Sequence, residues 1–151
     1  SPMLGTALFW WWPFIDKKDL YFHYRALARF LDGLDRRGKN FQISTAKIIS
    51  ASGSISTKAG VTGMQNMTSA YLWVYDNAVF NSRNPSEKEQ SIDDVKLVVE
   101  IFDPGIYRIE FWDTYKGERF SDFEKRMENG ECEISLPSFT KDIAVKIEKK
   151  S

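Results

Sequence analysis

The stretch DPGIYRIEFWDTYKGERF, Asp103 to Phe120, reads as turn, strand, turn, strand. Asp103-Pro104-Gly105 opens it with a turn: proline presets φ, and glycine accepts backbone angles that other residues resist. Tyr107, Ile109 and Phe111 then alternate with Arg108, Glu110 and Trp112, a period of two that puts three apolar side chains on one face of a strand. Lys116-Gly117 makes the second turn and predicts a hairpin with a strand around Glu118 to Phe120.

The same alternation recurs on both sides of this stretch. Ala70, Leu72 and Val74 interleave with Tyr71, Trp73 and Tyr75, while Val95, Leu97, Val99 and Ile101 line one face of another segment. Cys132, Ile134 and Leu136 define a further face, and Ile143, Val145 and Ile147 the last one. With FQISTAKII, Phe41 to Ile49, the count comes to about seven or eight short strands divided by Gly, Pro, Asn and Ser turns, the pattern of an antiparallel β-sandwich. The polar stretch Asn81 to Ser91 reads as a surface loop. No internal repeat is evident.

Before residue 40 the pattern differs. Ala7 to Trp12 is a continuous apolar run of strand length, suited to a strand buried on both faces, and Pro13 blocks its continuation. Asp16 is placed to cap a helix from Lys17 to about Asp35, whose Leu20, Tyr24, Leu27, Leu31 and Leu34 form one stripe. Arg36 and Arg37 put cations at its C-terminus, and Gly38 offers a left-handed cap. The expected fold class is therefore mainly β, an antiparallel sandwich preceded by one strand and one amphipathic α-helix.

Composition narrows the functions. The chain has 151 residues, 42% of them hydrophobic, enough for a real core. Lys plus Arg and Asp plus Glu both total 21, so no general field attracts nucleic acid or an anionic membrane. The apolar run Ala7 to Ile15 is too short to span a bilayer and lacks a basic leader segment. With one cysteine, Cys132, and one histidine, His23, there is no internal disulfide, no Cys-based zinc site and no multi-histidine site, and no cofactor is expected. Cys132 reads as a small buried hydrophobe and His23 as a packed helix residue. The sequon Asn66-Met67-Thr68 would accept a glycan only in a secretory host.

GTALFWWWPFIDKKDLYFHYRALARFLDGLD, from Gly5, resembles the last βα unit of a TIM-barrel glycoside hydrolase of the cellulase and mannanase type, where a Trp-rich eighth strand leads into the last helix. AYLWVYDNA, DPGIYRIEFWDTYKGE and LPSFTKDIAVKIEK are similar to the small C-terminal β-sandwich attached to such barrels. The resemblance implies a division into residues 1–38, the end of a barrel, and residues 39–151, the sandwich. A complete barrel takes about 250 residues and eight βα units. It follows from the resemblance that both catalytic carboxylates lie upstream, so no catalytic residue is expected here. It also implies that a tryptophan at the end of the last strand stacks on the sugar: Trp12 first, with Trp10 and Trp11 packing or assisting.

Other arrangements are open at this level. Tyr71, Trp73, Tyr75 and Trp112 could form a sugar platform on the sandwich, or pack it against the helix or a barrel. Glu110 and Asp113 flank Trp112, but three positions apart on a strand they face opposite ways, and Asp113 reads as a turn device. The sequence thus supports a hydrolase fragment with an accessory sandwich and no complete active site. The alternatives are a stand-alone carbohydrate-binding module, or an interaction domain. Expected partners are an oligosaccharide or polysaccharide, and either the upstream barrel or a second copy through the face of helix 17–35.

Overall fold

The computed structural model describes residues 12–81, 90–101 and 103–150. Among these described residues, three short helices and nine strands follow in the order α1 (Trp12–Lys17), α2 (Tyr21–Phe30), β1 (Gln42–Ile43), β2 (Lys47–Ser50), β3 (Ala59–Gln65), β4 (Ser69–Asp76), α3 (Asn77–Asn81), β5 (Val95–Ile101), β6 (Gly105–Asp113), β7 (Glu118–Met127), β8 (Gly130–Ser135) and β9 (Asp142–Lys149). The strands form two antiparallel sheets, one ordered β1-β3-β4-β9-β6-β7 and one ordered β2-β5-β8. The chain is a mainly β protein with a sandwich-like architecture, as its alternating segments predict.

The core lies between the sheets and is made by the alternating residues themselves. Leu72 and Val74 of β4, Tyr107, Ile109 and Phe111 of β6, and Ile143, Val145 and Ile147 of β9 meet Val95, Leu97 and Val99 of β5 and Cys132 and Ile134 of β8. Cys132 is buried there with a free thiol. The Tyr107 hydroxyl donates to the Asp103 carbonyl, tying the Asp103-Pro104-Gly105 turn to the strand it launches. Burial raises the Tyr107 phenol above its ordinary pKa.

Four boundaries differ from the sequence expectation, each for a physical reason. Trp12 begins a helix instead of ending a strand; the rest of the expected strand, with Trp10 and Trp11, lies outside the described residues. The single helix expected from Lys17 to Asp35 is two helices. Asp19 adopts φ 49° and α1 closes with bonds from Leu20 N to Ile15 O and from Asp19 N to Asp16 O, a Schellman-type ending, so Asp16 sits inside α1 and caps nothing. The stretch Phe41 to Ile49 is broken at Ser44 to Ala46: β1 pairs with β3 in the large sheet, and β2 pairs with β5 in the small one. Strand β3 was not legible because Gly60 and Gly63 interrupt its alternation, yet it pairs with β4 along its whole length. Gly63 is required there, since a Cβ would stand 2.8 Å from Cα of Leu72 and closer still to the Tyr71 carbonyl oxygen, both backbone atoms of β4. Of the expected loop Asn81 to Ser91, residues 82–89 lie outside the described residues.

Candidate functional site

The outer face of the large sheet carries the helix. Sandwich sheets usually turn one face to water, but here α2 covers part of that face with Phe30, whose ring meets Tyr71 and Trp112 edge-on at 6.2 and 5.8 Å. Met64 of β3 and Ala144 of β9 complete this second cluster, with Leu31, Leu34 and Phe41 packed around it. The stripe predicted from spacing is only partly correct. Ala26 and Phe30 are the buried residues of α2, whereas Leu27 remains exposed.

The helix is seated by the β6–β7 hairpin. Gly117 at its tip has φ 64° and lies so close to α2 that a Cβ would come within 2.5 Å of Cα of Ala26. Arg29 Nη1 donates to the Lys116 carbonyl at 3.1 Å, and the His23 ring stands 5.7 Å from Tyr115. Asp113 shapes the turn: its Oδ1 accepts the N–H groups of Tyr115 and Lys116, each at 2.9 Å. It is the turn device that its position suggests.

Beneath the helix the polar groups are paired. Lys146, buried on β9, places its ammonium 5.0 Å from the Trp112 ring centroid, 5.4 Å from Phe30 and 5.9 Å from Tyr71. Three ring faces around one cation compensate part of the loss of water. Glu110, also buried, accepts from Arg119 at 2.8 Å and from the Trp112 indole N–H at 2.9 Å, with Arg108 at 3.3 Å. A carboxylate held this way is a structural anchor. The Tyr71 hydroxyl donates to Glu148, and burial first, then that bond, raises its phenol well above the ordinary pKa.

Of the cavities bordering this layer, two meet at Asp142 and its partners. One, of about 300 Å³, lies between α2 and the sheet and is lined by Leu27, Phe30, Tyr71, Trp73 and Trp112, with His23 and Thr114 also in its wall. The other, of about 360 Å³, opens where β6 ends and β9 begins, between Asp113, Tyr115, Phe120, Ser138, Thr140 and Asp142. Asp142 accepts the Trp73 indole N–H at 2.9 Å and the Thr114 hydroxyl, so it joins the two sites.

The four sandwich aromatics nominated as a sugar platform are all on the outer face but do not form one flat surface. Tyr71 is buried and Trp112 half-buried in the α2 contact. Trp73 and Tyr75, half-buried, close a cluster with Phe80 of α3, with centroids 4.7 to 5.4 Å apart. Trp12, the nominated stacking residue, is 63% exposed at the start of α1. Sequence reasoning missed Lys146, Tyr115, Phe120 and Phe80. A lysine at an outward position of β9 reads as solvated until a helix is known to cover it, and Phe120 is brought out by a bulge. Ser121 pairs with Phe111 and Arg119 with Trp112, leaving Phe120 as the extra residue.

Among the described residues, no three His, Cys, Asp or Glu side chains gather as a metal site. No helix among them is long and apolar enough to cross a membrane. No family model, curated protein or solved structure matches the chain.

Proposed function

We propose that this chain is the C-terminal part of a glycoside hydrolase, an accessory β-sandwich with a structural role, whose α1–α2 segment is the junction to a catalytic barrel. The observation that carries the reading is the two-sidedness of that segment. Ala26 and Phe30 bind it to the sandwich, while Trp12, Phe22 and Leu27 stay 63%, 41% and 37% exposed. Large apolar side chains gathered on one short segment favour cover by another surface. The barrel suggested by the Trp-rich run and the following helix supplies such a surface, and the apolar cavity beside Leu27 lies in the same region.

The acid groups support a non-catalytic role. Glu110 is clamped by two arginines and an indole, and Asp113 holds a turn. A glycosidase pair needs one carboxyl free to donate a proton and another to attack or activate water. The coding region directly upstream is expected to specify a barrel bearing two glutamates, and the 151-residue chain alone to release no sugar from mannan, cellulose or xylan. An independent start with no neighbouring hydrolase, or hydrolysis by the chain alone, removes the reading.

A further inference from the structure

We infer that the cleft at the end of the sandwich is a binding site for a pyranose ring of a neutral oligosaccharide. The choice of sugar as the ligand class rests on the glycoside-hydrolase reading; the choice of place rests on the geometry. A pyranose offers an apolar C–H face and a rim of hydroxyls, so its site needs exposed aromatic surface beside hydrogen-bonding groups that both accept and donate. The outer face of β4 supplies rings but packs them against each other. The cleft supplies both.

Tyr115 and Phe120, 45% and 51% exposed, line the cleft together with Asp113, Asp142, Ser138 and Thr140, which bring two carboxylates and two hydroxyls to it. Its volume of about 360 Å³ falls in the usual range of small-molecule sites.

The cleft is also preorganised, which lowers the entropy lost on binding. Phe120 stacks on the core residue Phe111 at 6.4 Å. Tyr115 lies beside His23 at 5.7 Å, and the Lys141 ammonium stands 5.6 Å from its ring centroid. Asp142 is oriented by Trp73 and Thr114 and Asp113 by two backbone N–H groups. Each carboxylate oxygen has two acceptor directions, so these bonds leave capacity for sugar hydroxyls. With two carboxylates and one nearby ammonium, the surroundings disfavour an acidic sugar, hence a neutral one.

The test is calorimetric titration of the 151-residue chain with cellohexaose, mannohexaose and xylohexaose. The wild type is expected to bind at least one of them saturably. Tyr115→Ala and Phe120→Ala should weaken that binding by about tenfold or more, and Phe80→Ala should leave it unchanged. Thr140→Lys, on an exposed loop, fills the cleft without touching the core and should act like the ring deletions, which keeps the test valid if either deletion fails to fold. Absence of saturable binding to all three hexaoses overturns the cleft, as does binding lost with Phe80→Ala but kept with Thr140→Lys. Either failure leaves the accessory role to be judged separately by the upstream barrel.

Discussion

Replacing Gly117 by alanine separates two costs that coincide at one residue. The first is conformational: at φ 64° an L side chain is strained, by about 1–2 kcal/mol. The second is steric. The new Cβ would lie 2.5 Å from Cα of Ala26, and a backbone atom cannot rotate away, so either the hairpin or α2 must shift. Such overpacking costs about 1–3 kcal/mol. Gly53 provides the reference, since it has φ 84° but no other group within 4 Å of the place its Cβ would take. Gly53→Ala should therefore show the conformational cost alone.

Gly117→Ala should exceed it by about 1–3 kcal/mol. At about 2–4 °C per kcal/mol for a chain of this size, that is an extra fall in Tm of about 2–12 °C. Urea unfolding followed by Trp emission gives the energies, and hydrogen exchange locates the change: α2 amides should lose protection in Gly117→Ala and keep it in Gly53→Ala. Equal losses in the two variants, with α2 protection intact in both, would refute the close seating of the helix on the hairpin.

Three further outcomes follow from the covered face. Phe30→Ala removes the ring that meets Tyr71, Trp112 and the Lys146 ammonium, and should cost about 3–5 kcal/mol in urea unfolding with a red shift of Trp emission. Glu110→Ala should cost about 1–3 kcal/mol by stranding the Trp112 indole N–H, while Glu110→Gln, which retains an acceptor, should lose less in the same assay. The third concerns pH. Burial, then the bond to Glu148, raises the Tyr71 phenol above its ordinary 10.0. Above pH 10 the native state thus keeps a proton that the unfolded chain has lost, and stability falls as pH rises. Tyr71→Phe should fall less steeply over the same range, with Tyr107 contributing equally to both proteins; identical slopes would remove Tyr71 from the account.

Much of the fold was legible because an alternating strand records its own burial. Tyr107, Ile109 and Phe111, or Ile143, Val145 and Ile147, need only a local pleat to share a face, and a buried face keeps its register. The Asp103-Pro104-Gly105 and Lys116-Gly117 turns were legible for the same reason: their chemistry acts on adjacent residues. The candidate sites were less so. The turn role of Asp113 and the burial of Cys132 were legible, but Tyr115 and Phe120 carry no periodic signal and become neighbours of Asp142 only when β6 and β9 lie side by side.

The sequence by itself determined where β4, β5, β6, β8 and β9 lie, which side of them faces the core, and where the hairpin at Lys116-Gly117 turns, because each depends on steric and solvation preferences within a few residues. Tertiary structure alone decided that Phe41 to Ile49 divides between two sheets, that glycine-rich β3 completes the larger one, and that Ala26 and Phe30, with Leu31 and Leu34 beside them and Leu27 left exposed, seat the helix. Those outcomes depend on partners distant in the chain. The glycine at 117 lets a helix approach, and the rings of Tyr71 and Trp112 make a floor for Phe30 and a cage for Lys146.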